Sequence, residues 1–280
     1  MVVAQSEAGV AEFEADAGSP TPPDRSLEHQ LSFYASSNPT RRELHGARKD
    51  WVTAAVRRSA TSLVPSRAVA VEVGPGAGLA LPVLAGEFGT VFAVDINPAF
   101  LRAAEALRRE HPNLTVIAGD AMNPIPAVDP ADLVLCSEVL EHVPAPGRFV
   151  AGLSRRLTPG GVLVLTTPQR YSTVELAGRL LGKPGVKQLV GRFYGEAVVD
   201  LGHISLRTAR QVEDMLLAAG LEIVDHTTIG CYLPGIAELG GERASHLETW
   251  LARRWKGSRL ASLLWTQCWI AKRTHHQDTV

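Results

Sequence analysis

Val71-Glu72-Val73-Gly74-Pro75-Gly76-Ala77-Gly78, followed by Val91-Phe92-Ala93-Val94-Asp95, is the stretch that decides the fold. An apolar strand runs into a glycine turn, a helix follows, and a second apolar strand ends in a carboxylate. Gly74 and Asp95 stand 21 residues apart. This arrangement suits an adenosine-containing cofactor, because glycines let the backbone approach it and the acid receives ribose hydroxyls. The variant narrows the choice. Dinucleotide sites favour Gly-x-Gly-x-x-Gly, with a pyrophosphate at the helix amino terminus. Here the third glycine comes one residue early, and Glu72 precedes the loop. A carboxylate there repels a pyrophosphate and suits a cationic amino acid group.

Outward from this stretch, strands and helices alternate. Strands are expected over 68–73, up to Asp95, and over 114–118, 132–136, 161–167 and 221–224, the last extending toward Ile229. Leu79, Leu81, Val83, Leu84 and Phe88 mark the first helix between them; Asn97 caps and Pro98 opens the next, with Leu101, Ala104 and Leu107 on its apolar face. Such alternation implies a parallel sheet with helices on both faces and all strand carboxyl ends along one edge. Residues 27–64 read as helices that precede the first strand. Residues 169–203 interrupt the pattern with a capping box at Ser172-x-x-Glu175 and two amphipathic stretches. They read either as a lid over the cofactor edge or as a helical pair packed on the sheet. Thr208-x-x-Gln211 caps a further helix that stops at Gly220. Ser245-x-x-Glu248 reads as the start of another, with Leu247, Trp250, Leu251 and Trp255 on one side and Arg253, Arg254 and Lys256 on the other.

With 280 residues, 45% of them hydrophobic and 20% charged, the chain fits one large domain with additions. Residues 1–25 are acidic, small and proline-rich, as in a disordered tail, and leave 26–280 as the domain, with N-terminal helices over 26–66. A formal net charge of −1 argues against a general nucleic-acid binder. Residues 41–67 carry seven basic and two acidic residues, and 252–273 six basic and none acidic; both read first as solvated faces. The three cysteines have no zinc or disulfide spacing. No basic start followed by an apolar block is visible, and no stretch of 18 apolar residues, so a cytoplasmic location is expected.

On these motifs the chain resembles the class I S-adenosylmethionine-dependent methyltransferases. The resemblance covers about 68–168 closely and extends through Gly119-Asp120-Ala121, Ala131-Asp132-Leu133-Val134-Leu135-Cys136-Ser137, Glu138-Val139-Leu140-Glu141-His142-Val143-Pro144 and Leu157-Thr158-Pro159-Gly160-Gly161. It covers 203–230 more loosely. It implies a doubly wound, Rossmann-like α/β sheet of seven strands. The seventh, near 263–271, would run antiparallel between the fifth and sixth, and a helical lid would follow the fifth. It also implies S-adenosylmethionine as cofactor, with Glu72, Gly74, Gly76 and Gly78 around its amino acid part, Asp95 at the ribose, Asp120 and Ala121 at the adenine, and Ser137 beside the methionine part.

Methyl transfer from a sulfonium needs alignment and exclusion of water, and a base only where the acceptor must lose a proton. Glu138, Glu141 and His142 form the one cluster suited to acid–base or metal chemistry. A similar Glu-x-x-Glu-His segment in the ubiquinone-pathway O-methyltransferases is linked to a divalent metal, although the string also occurs in relatives without one. His142 and His203 are the candidate catalytic residues, each with a plain local hydrogen-bonding role as the alternative; no metal site is assigned. Ser137-Glu138-Val139-Leu140 lacks the Asn or Asp, paired prolines and aromatic of the family's nucleic-acid amino-methylating enzymes. The expected function is therefore methylation of a small molecule, at oxygen first, without nucleic acid as a partner. An apolar acceptor and contact with a membrane surface follow from the apolar lid and the Trp-bearing basic helix. The rival readings are a non-catalytic cofactor-binding partner protein and an RNA or protein methyltransferase.

Overall fold

Central strands with apolar residues on both faces need cover on both faces, and the architecture supplies it. A computed structural model describes residues 11–12, 25–123, 125, 128, 130–181 and 206–274. Its sheet is built from β1 (Ala11–Glu12), β2 (Val69–Val73), β3 (Thr90–Asp95), β4 (Leu114–Ala118), β5 (Ala131–Ser137), β6 (Leu157–Pro168), β7 (Leu221–Ile229) and β8 (Thr266–Arg273). The order is β1-β4-β3-β2-β5-β6-β8-β7. Strands β2 to β6 pair in parallel, and β8 runs antiparallel between β6 and β7. The seven expected strands are all there in the expected order. The two-residue β1, within the stretch read as a tail, adds an antiparallel stub beside Ile117 and Ala118.

Helices α1 (Arg25–Tyr34) and α2 (Pro39–Ala60) precede the sheet. Within it come α3 (Leu81–Glu87), α4 (Pro98–Leu107), α5 (Pro146–Arg155), α6 (Thr173–Leu181) and α7 (Ala209–Ala218), then α8 (Ile236–Leu239) and α9 (Gly241–Trp255). Alternate residues of each central strand enter two separate cores. Val71, Val134, Cys136 and Leu165 pack with Phe149, Val150 and Leu153 of α5 and Val212 and Leu216 of α7. Ala70, Leu133, Leu135 and Val164 pack with Val52, Ala55 and Val56 of α2, Leu81 and Leu84 of α3 and Leu101 of α4. Each fully buried aliphatic side chain contributes about 1.5–3 kcal/mol relative to exposure. The period-two split is therefore what fixes the register of every strand.

The caps read from sequence are present at three helices. Asn97 accepts from Ala99 N at 2.8 Å with Pro98 following, Thr208 and Gln211 form a reciprocal box, and Ser172 accepts from Glu175 N. One was misplaced: α9 starts at Gly241, and Ser245 lies buried inside it rather than at its start. The expected apolar side of α9 is corrected too, since Leu247 and Trp250 are exposed. The inward residues are Ala244, Ser245 and Glu248. Of the interrupting segment, Gln169 to α6 is described; 182–203 lies outside the described residues.

Candidate active site

The parallel strands put their carboxyl ends along one edge, and the glycine loop leaves β2 there. Gly74, Gly76 and Gly78 have φ of 70°, 54° and 73°, left-handed values that side chains resist. Gly74 N donates to Val94 O at 2.9 Å, and a Cβ on Gly74 would overlap the Val139 side chain. The loop thus lies directly against the turn that follows β5. Below it Glu72 is 4% exposed, and its Oε2 has no hydrogen-bond partner. Burial, aided by the charge of Asp95, pushes its carboxyl up to about 8. A buried acid left in this state is matched to a cationic group arriving at the loop.

Asp95, half-buried, ends β3 and accepts from Asn97 N through Oδ1 at 2.8 Å; burial raises its pKa against those backbone bonds. Asp120 follows β4, is exposed, and accepts from Met122 N at 2.8 Å, while Ala121 beside it is buried. Ser137 ends β5. Its Oγ lies 2.8 Å from Thr166 Oγ1, whose proton goes to Glu138 Oε1 at 2.9 Å, so Ser137 is the donor. The structure therefore brings Glu72, the three glycines, Asp95, Asp120, Ala121 and Ser137 to one edge. These groups fit S-adenosylmethionine: an unpartnered buried acid for its ammonium, close-approach glycines, and acids at the ends of β3 and β4.

The turn after β5 holds the acid–base cluster. Glu138 adopts φ of 58°, the one non-glycine residue with positive φ among those described, at a cost of about 1–2 kcal/mol. Its Oε2 pairs with Arg48 Nη1 at 2.9 Å. Glu141 is 1% exposed and accepts from Thr167 Oγ1 at 3.0 Å; burial first, and then the charge of Glu138, holds its carboxyl well above the usual range. His142 is 49% exposed at its side chain, with Nε2 4.0 Å from Glu141 Oε1. His203 lies outside the described residues. The divalent metal that the Glu-x-x-Glu-His resemblance attaches to this turn does not fit: both Glu138 oxygens are engaged, one by a guanidinium. Among the described residues no group of three or more His, Cys, Asp or Glu is arranged to hold a metal ion.

Two contributors come from the N-terminal helices and were missed in the sequence. Gln30 of α1 accepts from Ala77 N at 2.9 Å and lies over Gly76. Arg48 of α2 also donates to Tyr34 Oη and His45 Nδ1, each at 3.3 Å, and stacks over Trp265 at 5.2 Å. His45 is buried, stacked on Phe33 and held down to about 3 by burial and then by Arg48 and Arg41, so it stays neutral with Nδ1 as acceptor. Arg42, Lys49, Arg57, Arg58 and Arg67 are exposed, as a solvated face requires. Arg48 departs from that reading. The signal was the spacing: Leu44, Arg48, Val52 and Ala55 share one helical stripe, and the other three are buried. Two cavities, of about 250 and 390 Å³, lie between α2 and β7; neither is lined by the glycine loop.

Fold and edge together define a class I, Rossmann-like methyltransferase. Residues 44–226 match the methyltransferase-domain family, and the chain belongs to it; it is an S-adenosylmethionine-dependent methyltransferase. It is 30% identical over 192 residues to the ubiquinone biosynthesis O-methyltransferase of Psychrobacter cryohalolentis, covering 61% of this chain and 74% of that one. It is 32% identical over 127 residues to the protein of the same description from Xylella fastidiosa strain 9a5c, where it spans 50% of the relative and 45% of itself. Among solved structures, magnesium protoporphyrin IX methyltransferase from Synechocystis, with S-adenosylhomocysteine bound, superposes with a TM-score of 0.59 at 16% identity over 90% of this chain and 95% of that one. No helix among the described residues is long and apolar enough to cross a membrane.

Proposed function

We propose that this chain transfers the methyl group of S-adenosylmethionine to a hydroxyl oxygen of a small, apolar molecule. The observation that carries the cofactor half is Glu72, a buried carboxyl whose Oε2 is without a partner beneath a glycine loop. Glu72 pairs with the ammonium, Gly74, Gly76 and Gly78 admit the amino acid part, and Asp95 receives the ribose hydroxyls. Asp120 and the Ala121 backbone meet the adenine, and Ser137 borders the methionine part. The bound cofactor supplies an electrophilic methyl on a sulfonium. The protein has to align an acceptor oxygen with it and keep water out.

Oxygen as the methylated atom is supported by the relatives, which are described as O-methyltransferases of ubiquinone biosynthesis. His142, exposed at the same edge, hydrogen-bonds the acceptor hydroxyl and takes up its proton. His203 and the lid over 169–203 complete the acceptor side in this reading. An apolar acceptor is supported by the exposed Ile236, Leu239, Trp250 and Leu260, which share the α8–α9 region with exposed Arg253, Arg254 and Arg259. Such a mixture suits the surface of an anionic bilayer.

Calorimetric titration of S-adenosylhomocysteine into wild type and Asp95→Ala tests the cofactor half. Micromolar binding that weakens about 100-fold in the variant is expected, from losing charge-assisted hydrogen bonds. Labelled methyl transfer to a panel of hydroxylated aromatic and prenylated compounds tests the acceptor half. No binding to wild type sinks the site assignment; transfer to amines alone sinks the hydroxyl acceptor.

A further inference from the structure

Two carboxyls and an imidazole within one turn, Glu138, Glu141 and His142, are a ligand set that attracts a divalent cation. The structure answers that attraction from inside the chain. Arg48 Nη1 lies 2.9 Å from Glu138 Oε2, while its Nη2 is committed to Tyr34 and His45. The guanidinium stacks over Trp265 and its side chain is 13% exposed. Thr166 holds the other Glu138 oxygen and Thr167 one oxygen of Glu141. Glu138 itself adopts a left-handed backbone conformation, and the next residue, Val139, packs against Gly74 of the loop. Arg48's partners come from α1, from its own helix, from the turn after β5 and from the residue before β8, so the arginine is held in place rather than resting on a flexible arm.

We propose that Arg48 is the built-in counter-cation of the Glu138–Glu141 pair, a positioning residue that takes the place of a divalent ion at the acceptor side of the site. A fixed guanidinium here neutralises Glu138, opposes entry of a dication, and aims the turn that bears His142. The consequence is a transferase whose acceptor side is assembled without metal. That consequence rests on the methyl-transfer reading, whereas the cation exclusion does not, so the two can fail separately.

The test is Mn²⁺ binding, read by the electron paramagnetic resonance of the free ion, with S-adenosylhomocysteine binding measured on the same samples. Wild type is expected to show no saturable Mn²⁺ binding. Arg48→Met frees Glu138 to swing toward Glu141 and His142 and should bind Mn²⁺ about tenfold or more tighter than wild type. The gain should vanish in Arg48→Met/Glu138→Gln. Arg48→Lys, which keeps the charge, should behave as wild type. A merely structural arginine would lower stability without creating a metal site. Saturable Mn²⁺ binding to wild type that is lost in Glu138→Gln overturns the proposal. So does a folded Arg48→Met that still binds S-adenosylhomocysteine and gains no Mn²⁺. Where Arg48→Met does not fold, Arg48→Gln carries the same comparison, and the wild-type titration stands by itself. Loss of S-adenosylhomocysteine binding in wild type speaks against the methyl-transfer reading alone.

Discussion

The glycine-loop half and the half built around α2 and α9 hold their polar groups in different ways. In the first, the strand-end acids and the helix cap bond locally: Asp95 with Asn97, Asn97 with Ala99 and Asp120 with Met122 each span two residues, with Gln30, which reaches Ala77 N across 47 residues, as the exception. In the second, Thr40 reaches Glu248 across 208 residues, Asn38 reaches Ala237 across 199, and Arg48 meets Glu138 from another element altogether. A local bond is made as soon as its own turn forms. A distant one exists only once the fold is complete, so its partners answer to the whole sheet. The first half is mostly a set of self-contained turns, and the second depends on the completed fold.

The sharpest way to break this division is Gly74→Ala. A Cβ at φ of 70° would overlap Val139, which belongs to the turn after β5. The expected outcome is a loss of about 2–4 kcal/mol in stability together with loss of S-adenosylhomocysteine binding, by denaturant melts and calorimetry. Intact binding would show that the loop tolerates displacement. Next comes Thr40→Val, which removes the hydroxyl donating to buried Glu248 Oε2 at 2.6 Å. It should lower stability by about 1–3 kcal/mol and leave S-adenosylhomocysteine affinity unchanged. A shift in affinity would mean the halves are coupled.

Glu72→Gln should weaken S-adenosylhomocysteine about tenfold and change its pH dependence. In wild type the carboxyl, held up at about 8, is protonated at neutral pH and must release its proton to pair with a cation. Affinity should therefore rise with pH toward about 8, with proton release visible as a buffer-dependent binding enthalpy. For the same reason the ligand-free protein loses stability as pH climbs from the usual carboxylate range toward that value. The variant should show neither effect at this group. The smallest change expected is Gln30→Ala. Loss of its bond to Ala77 N should cost about 0.5–1.5 kcal/mol and appear as faster amide exchange at Ala77.

What could be read in the sequence follows the same division. The strands, the Asn97 and Thr208 caps, Asp95 and the loop glycines announce themselves through spacing of a few residues. Their physics is confined to a turn. Arg48 and Gln30 look like surface residues, because their partners lie on other elements. The stripe of Leu44, Arg48, Val52 and Ala55 carried the hint for one of them. Gln30 had none, since an amide over a glycine leaves no pattern. Ser245-x-x-Glu248 misled in the opposite sense: a capping string was borrowed for the interior of α9, where Glu248 takes Thr40 Oγ1 and Leu233 N.

The antiparallel β8 has a consequence for the order in which the molecule is assembled. β7 touches the sheet through β8 alone, and β8 is the later strand in the chain. A growing polypeptide that has already made β2 to β6 and α7 therefore holds β7 without a neighbour, with the flank of β6 open beside it. Trp269 and Ile270 enter both cores only when residues 266–273 arrive. The sheet is closed from the middle by its last piece, like a keystone. Until then the nascent chain has two unpaired edges and is at its most vulnerable to pairing with another copy.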